Sequence, residues 1–170
     1  SAHLYGQILR HMLNGDGRIP LAMVAGAPPH SPIPALLARI LAAGGRRVGV
    51  ASARGAAIGG RSLTSAPGTV HTAARALLLD RETDAAVVVV DHAEVFRCLL
   101  PFDRCGVVAL AGSAFQGPAS IRLGEYARLL LPMSLGPVVI AAADPACRAL
   151  AGTIRGARVA LAGGDGAVRV

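Results

Sequence analysis

Gly26-Ala27-Pro28-Pro29-His30-Ser31-Pro32-Ile33 stands between an apolar run, Leu21-Ala22-Met23-Val24-Ala25, and a helix-like segment from Pro34 to Ala43. A buried strand, a loop opened by glycine and a helix form the frame in which backbone N–H groups and a helix N-terminus converge on phosphate oxygens. That chemistry also needs a lysine in the loop to meet the phosphates and a Ser or Thr after it to face a divalent cation. Here His30 takes the lysine position and Ser31 follows it. No lysine occurs anywhere in the 170 residues, and the 17 Lys/Arg positions are all arginine. An imidazole near its reference pKa is mostly neutral at pH 7. Pro28, Pro29 and Pro32 have no N–H to offer, and Pro29 stands where a glycine would let the backbone approach a phosphate. Gly26, His30 and Ser31 therefore mark a vestigial nucleotide loop without its central charge or its cradle. The residue chemistry favours a proline-rich turn that holds no ligand.

A second cluster, Asp91-His92-Ala93-Glu94, follows the apolar run Ala85 to Val90. Parallel sheets bind ligands beyond the carboxyl ends of their strands. Asp91 or Glu94 holding a metal, with His92 as acid or base, would make this a residual site. The reading favoured by the spacing is a helix start, with Asp91 as N-cap and Glu94 near the positive helix end. His-x-Glu also occurs in zinc deaminases, but their Pro-Cys-x-x-Cys partner is absent, so no metal site is expected. Ser113, in Leu110-Ala111-Gly112-Ser113-Ala114, lacks the glycine two residues before it that a nucleophile elbow requires. Asp103-Arg104 is expected to make local surface or hinge contacts rather than to do chemistry. Arg54 and Arg97 are candidate anion contacts near strand ends, a role that single exposed arginines rarely fill. Cys98, Cys105 and Cys147 are odd in number and form no CxxC pair, as expected for buried, reduced thiols. No catalytic residue is assigned.

These residues must be positioned by alternating strands and helices. Ala2 to Leu13 reads as an amphipathic helix carrying Leu4, Ile8 and Met12 on one face. Strands are expected at Leu21–Ala25, Arg47–Ser52, Ala85–Val90, Gly106–Ala111 and Val138–Ala142, with edge strands at Arg158–Leu161 and Ala167–Val170. Ala57 to Ser62 reads as a hairpin turning at Gly59-Gly60. Helices are expected at Pro34–Ala43, closed by Gly44-Gly45, at Thr69–Leu79 with Val70, Ala73 and Leu77 inward, and at Ala93–Leu99. Two more follow at Ile121–Leu131 and Pro145–Ala151. This alternation predicts an α/β fold of three layers, a mostly parallel sheet flanked by helices.

Apolar residues make up 53% of the chain and aromatics only 3%, so the core must be built from Ala, Val, Leu and Ile. The formal charge of +7 is spread along the chain, with Arg46-Arg47 the one adjacent pair. No stacking platform accompanies it, and nucleic-acid binding is not expected. No apolar stretch is long enough to span a bilayer, and the first 20 residues lack a signal-peptide core. A soluble cytoplasmic protein without a membrane partner is expected. The chain opens on Ser1 rather than methionine and is expected to be one domain, residues 1–170, taken from a longer protein.

The order of these pieces resembles the central, ATP-binding domain of the Mur ligase family, and is most similar to the version in cyanophycin synthetases. The likeness runs from about Arg18 to Asp144. It rests on Arg18-Ile19-Pro20-Leu21 before a glycine-led loop, Ala42-Ala43-Gly44-Gly45-Arg46-Arg47-Val48-Gly49, and Ile58-Gly59-Gly60-Arg61. Phe102-Asp103-Arg104-Cys105 and Ala142-Ala143-Asp144-Pro145 complete it. The resemblance implies a P-loop NTPase-like fold and an ancestral reaction in which ATP and magnesium activate a carboxylate for attack by an amine.

It also implies functional residues that this chain replaces. The family's Gly-Thr-Asn-Gly-Lys-Thr-Thr falls on Gly26 to Pro32, so that only Gly26 and the Ser31 hydroxyl survive. The family's glutamate after the third strand falls on Val89, or on Asp91 if the alignment slips by two. Its Thr-Asn-Ile stretch falls on Ala111-Gly112-Ser113 and its later Asp-His on Gln116-Gly117. In the turn before Pro145, Ala141 and Ala143 stand for an asparagine and an aspartate. The expectation is a degenerate, non-catalytic domain needing no cofactor, which acts as a scaffold or oligomerising module beside other domains of a parent chain. Two alternatives stay open. One is a divergent ligase using ATP and Mg with His30, Ser31 and Asp91; the other is an anion-binding module.

Overall fold

Ala85–Val90 has no polar side on either face, and a strand of that kind is stable only when both faces are covered. In the computed structural model, which describes residues 18–27, 31–64, 67–90, 100–112, 123–151, 154, 159–162 and 168–169, this run lies inside a nine-stranded sheet. The strands are β1 (Leu21–Ala25), β2 (Val48–Ser52), β3 (Gly55–Ile58), β4 (Arg61–Ser62) and β5 (Ala85–Val90). They continue as β6 (Val107–Leu110), β7 (Val138–Ala141), β8 (Val159–Ala162) and β9 (Val168–Arg169). The described helices are α1 (Ile33–Ala43), α2 (Val70–Leu79), α3 (Leu123–Leu130) and α4 (Pro145–Ala151).

The sheet order is β4-β3-β2-β5-β1-β6-β7-β8-β9. Six strands from β2 through β8 run parallel. The antiparallel pairs β2/β3, β3/β4 and β8/β9 finish the two ends. From β1 the chain crosses over β5's place to reach β2, fills in β5, and then continues on the other side of β1 with β6. The winding therefore reverses at β1.

Alternate residues of a strand face opposite sides of the sheet, and here both sides are buried. Ala22, Val24, Val48, Ala85 and Val87 form one face, against which Ile33, Leu37 and Leu41 of α1 pack. Met23, Val88, Val108 and Ile140 belong to the other, covered by Val70, Ala73, Ala74 and Leu77 of α2, Ala127 and Leu130 of α3 and Cys147 of α4. The result is the three-layer, mostly parallel α/β arrangement. α2 starts where Thr69 caps it, the threonine oxygen accepting from the Thr72 N–H at 3.1 Å. Threonine is among the residues preferred at an N-cap because its oxygen can accept in this way.

Three readings of the sequence change. The hairpin read at Ala57–Ser62 is present as β3 and β4 but extends into a three-stranded meander, because β3 also pairs with β2 from Gly49 to Ser52. β8 is not an edge strand: it pairs with β7 in parallel and β9 in antiparallel. Asp103 does not make a merely local contact; it pairs with Arg18, 85 residues earlier. The helices read at Ala2–Leu13 and Ala93–Leu99 lie outside the described residues. No described helix is long and apolar enough to cross a membrane.

Candidate functional site

The reversal of winding at β1 brings three strand ends together. Ala25 is in register with Val90 of β5 and with Leu110 of β6. The Ala111 N–H donates to the Ala25 carbonyl at 2.8 Å. Gly26 leaves β1 buried, with φ at 67°, a left-handed conformation that glycine adopts without a Cβ penalty. Chain direction thus changes sharply at the crevice where open α/β sheets receive ligands.

Ser31 sits at the other end of this loop, partly buried, and its Oγ accepts from the Ile33 N–H at 3.3 Å. The Leu36 N–H donates to the Pro32 carbonyl at 2.9 Å. Pro32 precedes α1 and Pro34 lies in its first turn. Neither has an N–H. Among residues 32–36, that leaves Ala35. The first turn of a helix ordinarily presents several N–H groups to an anion, and here most are absent or already bonded. Pro34 thus removes one more donor, beyond those that the loop prolines lack.

Of the residues singled out from the sequence, Gly26 and Ser31 are placed at the two ends of one loop. His30, Asp91, His92 and Glu94 lie outside the described residues, as do Arg97, Cys98 and Ser113. The last described residue before Asp91 is Val90, level with Ala25. Among the described residues, no three His, Cys, Asp or Glu side chains gather as a metal site would require.

Two further features act structurally. Asp144 Oδ1 accepts from the N–H groups of Ala146 at 2.9 Å and Cys147 at 3.1 Å, so it caps α4. Arg148 of α4 reaches back, its Nε donating to the Ala142 carbonyl at 2.9 Å and a terminal nitrogen to the same oxygen. The turn Ala142-Ala143-Asp144-Pro145 is thereby tied to its own helix. Arg54 is exposed, and its N–H donates to Ser52 Oγ at 3.2 Å. Cys105 and Cys147 are buried free thiols, each pushed up to about 11 chiefly by loss of water. A thiol so raised is not a nucleophile at neutral pH.

The sequence matches no protein-family model and no curated protein. Its fold does match solved ligases. Against a UDP-N-acetylmuramoyl-L-alanyl-D-glutamate–2,6-diaminopimelate ligase the TM-score is 0.62 at 15% identity over 93% of this chain. Against the ligand-free bifunctional folylpolyglutamate synthase/dihydrofolate synthase of Yersinia pestis it is 0.55 at 17% identity over 92%. For the same Yersinia enzyme complexed with AMPPNP and a Mn ion it is 0.53 at 17% identity over 84%. The chain spans 34%, 47% and 43% of the length of these three proteins. The fold is therefore the Mur-ligase-like α/β fold.

Proposed function

We propose that this chain is a Mur-ligase-like module that has lost nucleotide binding, of the kind carried by a cyanophycin-synthetase-like protein. Its role is to scaffold or oligomerise catalytic domains elsewhere in a parent chain. The first turn of α1 carries this reading. Ser31 Oγ is turned onto the Ile33 N–H, and Leu36 is bonded to Pro32. Pro32 and Pro34 have no N–H, and no lysine exists in the chain to supply the missing charge. A magnesium-bound triphosphate needs fixed donors and cations around its oxygens. The residues present do not fit that group, so no phosphoryl-transfer step is assigned to this chain.

Titration with Mg-ATP, read by calorimetry and by melting temperature, tests this. The expected result is heat of dilution only and an unchanged melting temperature. A nucleotide at about 100 times its Kd would stabilise the fold by about 2.7 kcal/mol, an easily visible shift. Saturable binding abolished by Ser31→Ala would overturn the scaffold reading. It would favour the divergent ligase built on His30, Ser31 and Asp91, to which the buried, left-handed Gly26 at the strand ends already lends weight. A strongly salt-dependent association with polyanions would favour an anion-binding module instead.

A further inference from the structure

Two open cavities adjoin α2, the larger at the amino-terminal end of the sheet, away from Gly26 by the length of β1, about 17 Å. One, near 580 Å³, is lined by Ile19, Phe102 and Leu135 with Arg18, Asp103 and Arg104 at its mouth. The second, near 340 Å³, is lined by His71, Arg75 and Leu79. Leu78 and Pro101 line both, so the two adjoin and are taken together as one groove. Leu79 and Leu135, which line them, are 71% and 61% exposed. Large aliphatic side chains in a groove with a polar rim mark an interaction surface.

The charges around the groove decide what fits it. Among the described lining residues the charged side chains are Arg18, Arg75, Arg104 and Asp103. Asp103 is engaged by Arg18 at 2.8 Å, and Arg75 and Arg104 make no ion pair among the described residues. A second copy docked groove to groove would face arginine with arginine. A purely apolar occupant would strip water from Arg75 and Arg104 without replacing it, which is unfavourable. A basic occupant would be repelled.

We propose that this groove binds an acidic polypeptide segment of a partner protein, with large apolar side chains seated over Leu78, Leu79, Phe102 and Leu135 and carboxylates meeting Arg75 and Arg104. Nothing in this assignment depends on whether the nucleotide loop is competent.

Fluorescence anisotropy with a fluorescein-labelled peptide of glutamate and leucine tests it. Saturable binding is expected, weakening with added salt and by about tenfold or more, equivalent to about 1.4 kcal/mol, in an Arg75→Glu/Arg104→Glu variant. A matched lysine–leucine peptide should ignore the natural protein and bind that variant. Leu79→Ser and Leu135→Ser should weaken the acidic peptide without charge change. All four side chains are exposed, so melting temperatures should hold, and Arg75→Gln with Arg104→Gln gives the same reading without reversal. A flat titration, binding indifferent to these changes, or equal binding of the basic peptide would overturn the proposal. So would a dimer in sedimentation that Leu79→Ser and Leu135→Ser disperse, since the groove would then belong to a second copy.

Discussion

Asp144 carries a defined structural task at the start of a helix. Its carboxylate accepts two N–H groups at the start of α4, a helix of seven residues with Pro145 first. So short a helix has little stability of its own, and unsatisfied N–H groups at its start would be exposed to loss. Replacing Asp144 by Ala should cost about 1 kcal/mol, the usual value of such a cap, with Asp144→Asn retaining most of it. Denaturant unfolding of the two variants checks this: equal stability for Ala and Asn would mean the cap contributes nothing. Ser31 behaves in a related way. Its place between β1 and α1 was legible in the sequence, yet its bond to Ile33 was not, because a rotamer choice leaves no trace in residue order. The missing lysine and the prolines were legible outright, since what a residue type cannot donate does not depend on the fold.

At the scale of elements, legibility followed burial. β1 and β5 were readable to the residue because a strand covered on both faces must be apolar throughout. The proline at the start of α4 marked that helix for a similar reason. Strand neighbours were less readable. Whether β3 joins β2, or β8 lies inside the sheet rather than at its edge, depends on contacts between distant segments, and an alanine-rich chain carries few facing patterns to specify them. Close approach between elements is instead encoded in two glycines. A Cβ on Gly49 of β2 would lie 2.0 Å from Leu77 Cδ1, and Leu77 is wholly buried under α2. A Cβ on Gly136, just before β7, would lie 2.3 Å from the Gly106 carbonyl oxygen. Gly49→Ala forces a buried side chain out of place and should cost about 1–3 kcal/mol. Gly136→Ala meets backbone, which cannot turn aside, and should cost more. Thermal melts of both variants order them; a Gly136→Ala protein as stable as the natural one would show that β6 and β7 are free to separate there.

At the scale of the whole molecule, the ion pairs among the described residues gather at the end of the sheet opposite Gly26. Arg18–Asp103 joins the approach to β1 with that to β6. Arg47–Asp84 joins the starts of β2 and β5, with the Arg47 N–H also donating to the same carboxylate at 3.0 Å. Arg61 ties the β4 edge to Asp80 and Glu82 before β5. The Arg18 guanidinium holds the Asp103 carboxyl below the usual range, and Arg47 does the same to Asp84. Asp80 is lowered first by the Glu82 N–H and then by Arg61. In each case the folded carboxyl binds its proton more weakly than the unfolded one. The associated stability is therefore complete above the unfolded value, about 3.9, and is lost as pH falls through the lower folded value. A protein of formal charge +7 also gains positive charge over that range, which adds self-repulsion. Asp84→Asn removes one such titration. Its melting temperature should lie below that of the natural protein at pH 7, and the gap should close as pH drops below about 4. Melts of both proteins across that range measure the gap directly. A gap as wide at pH 2.5 as at pH 7, well below the reference carboxyl value of about 3.9, would mean that Asp84 stabilises the sheet through its shape rather than its charge.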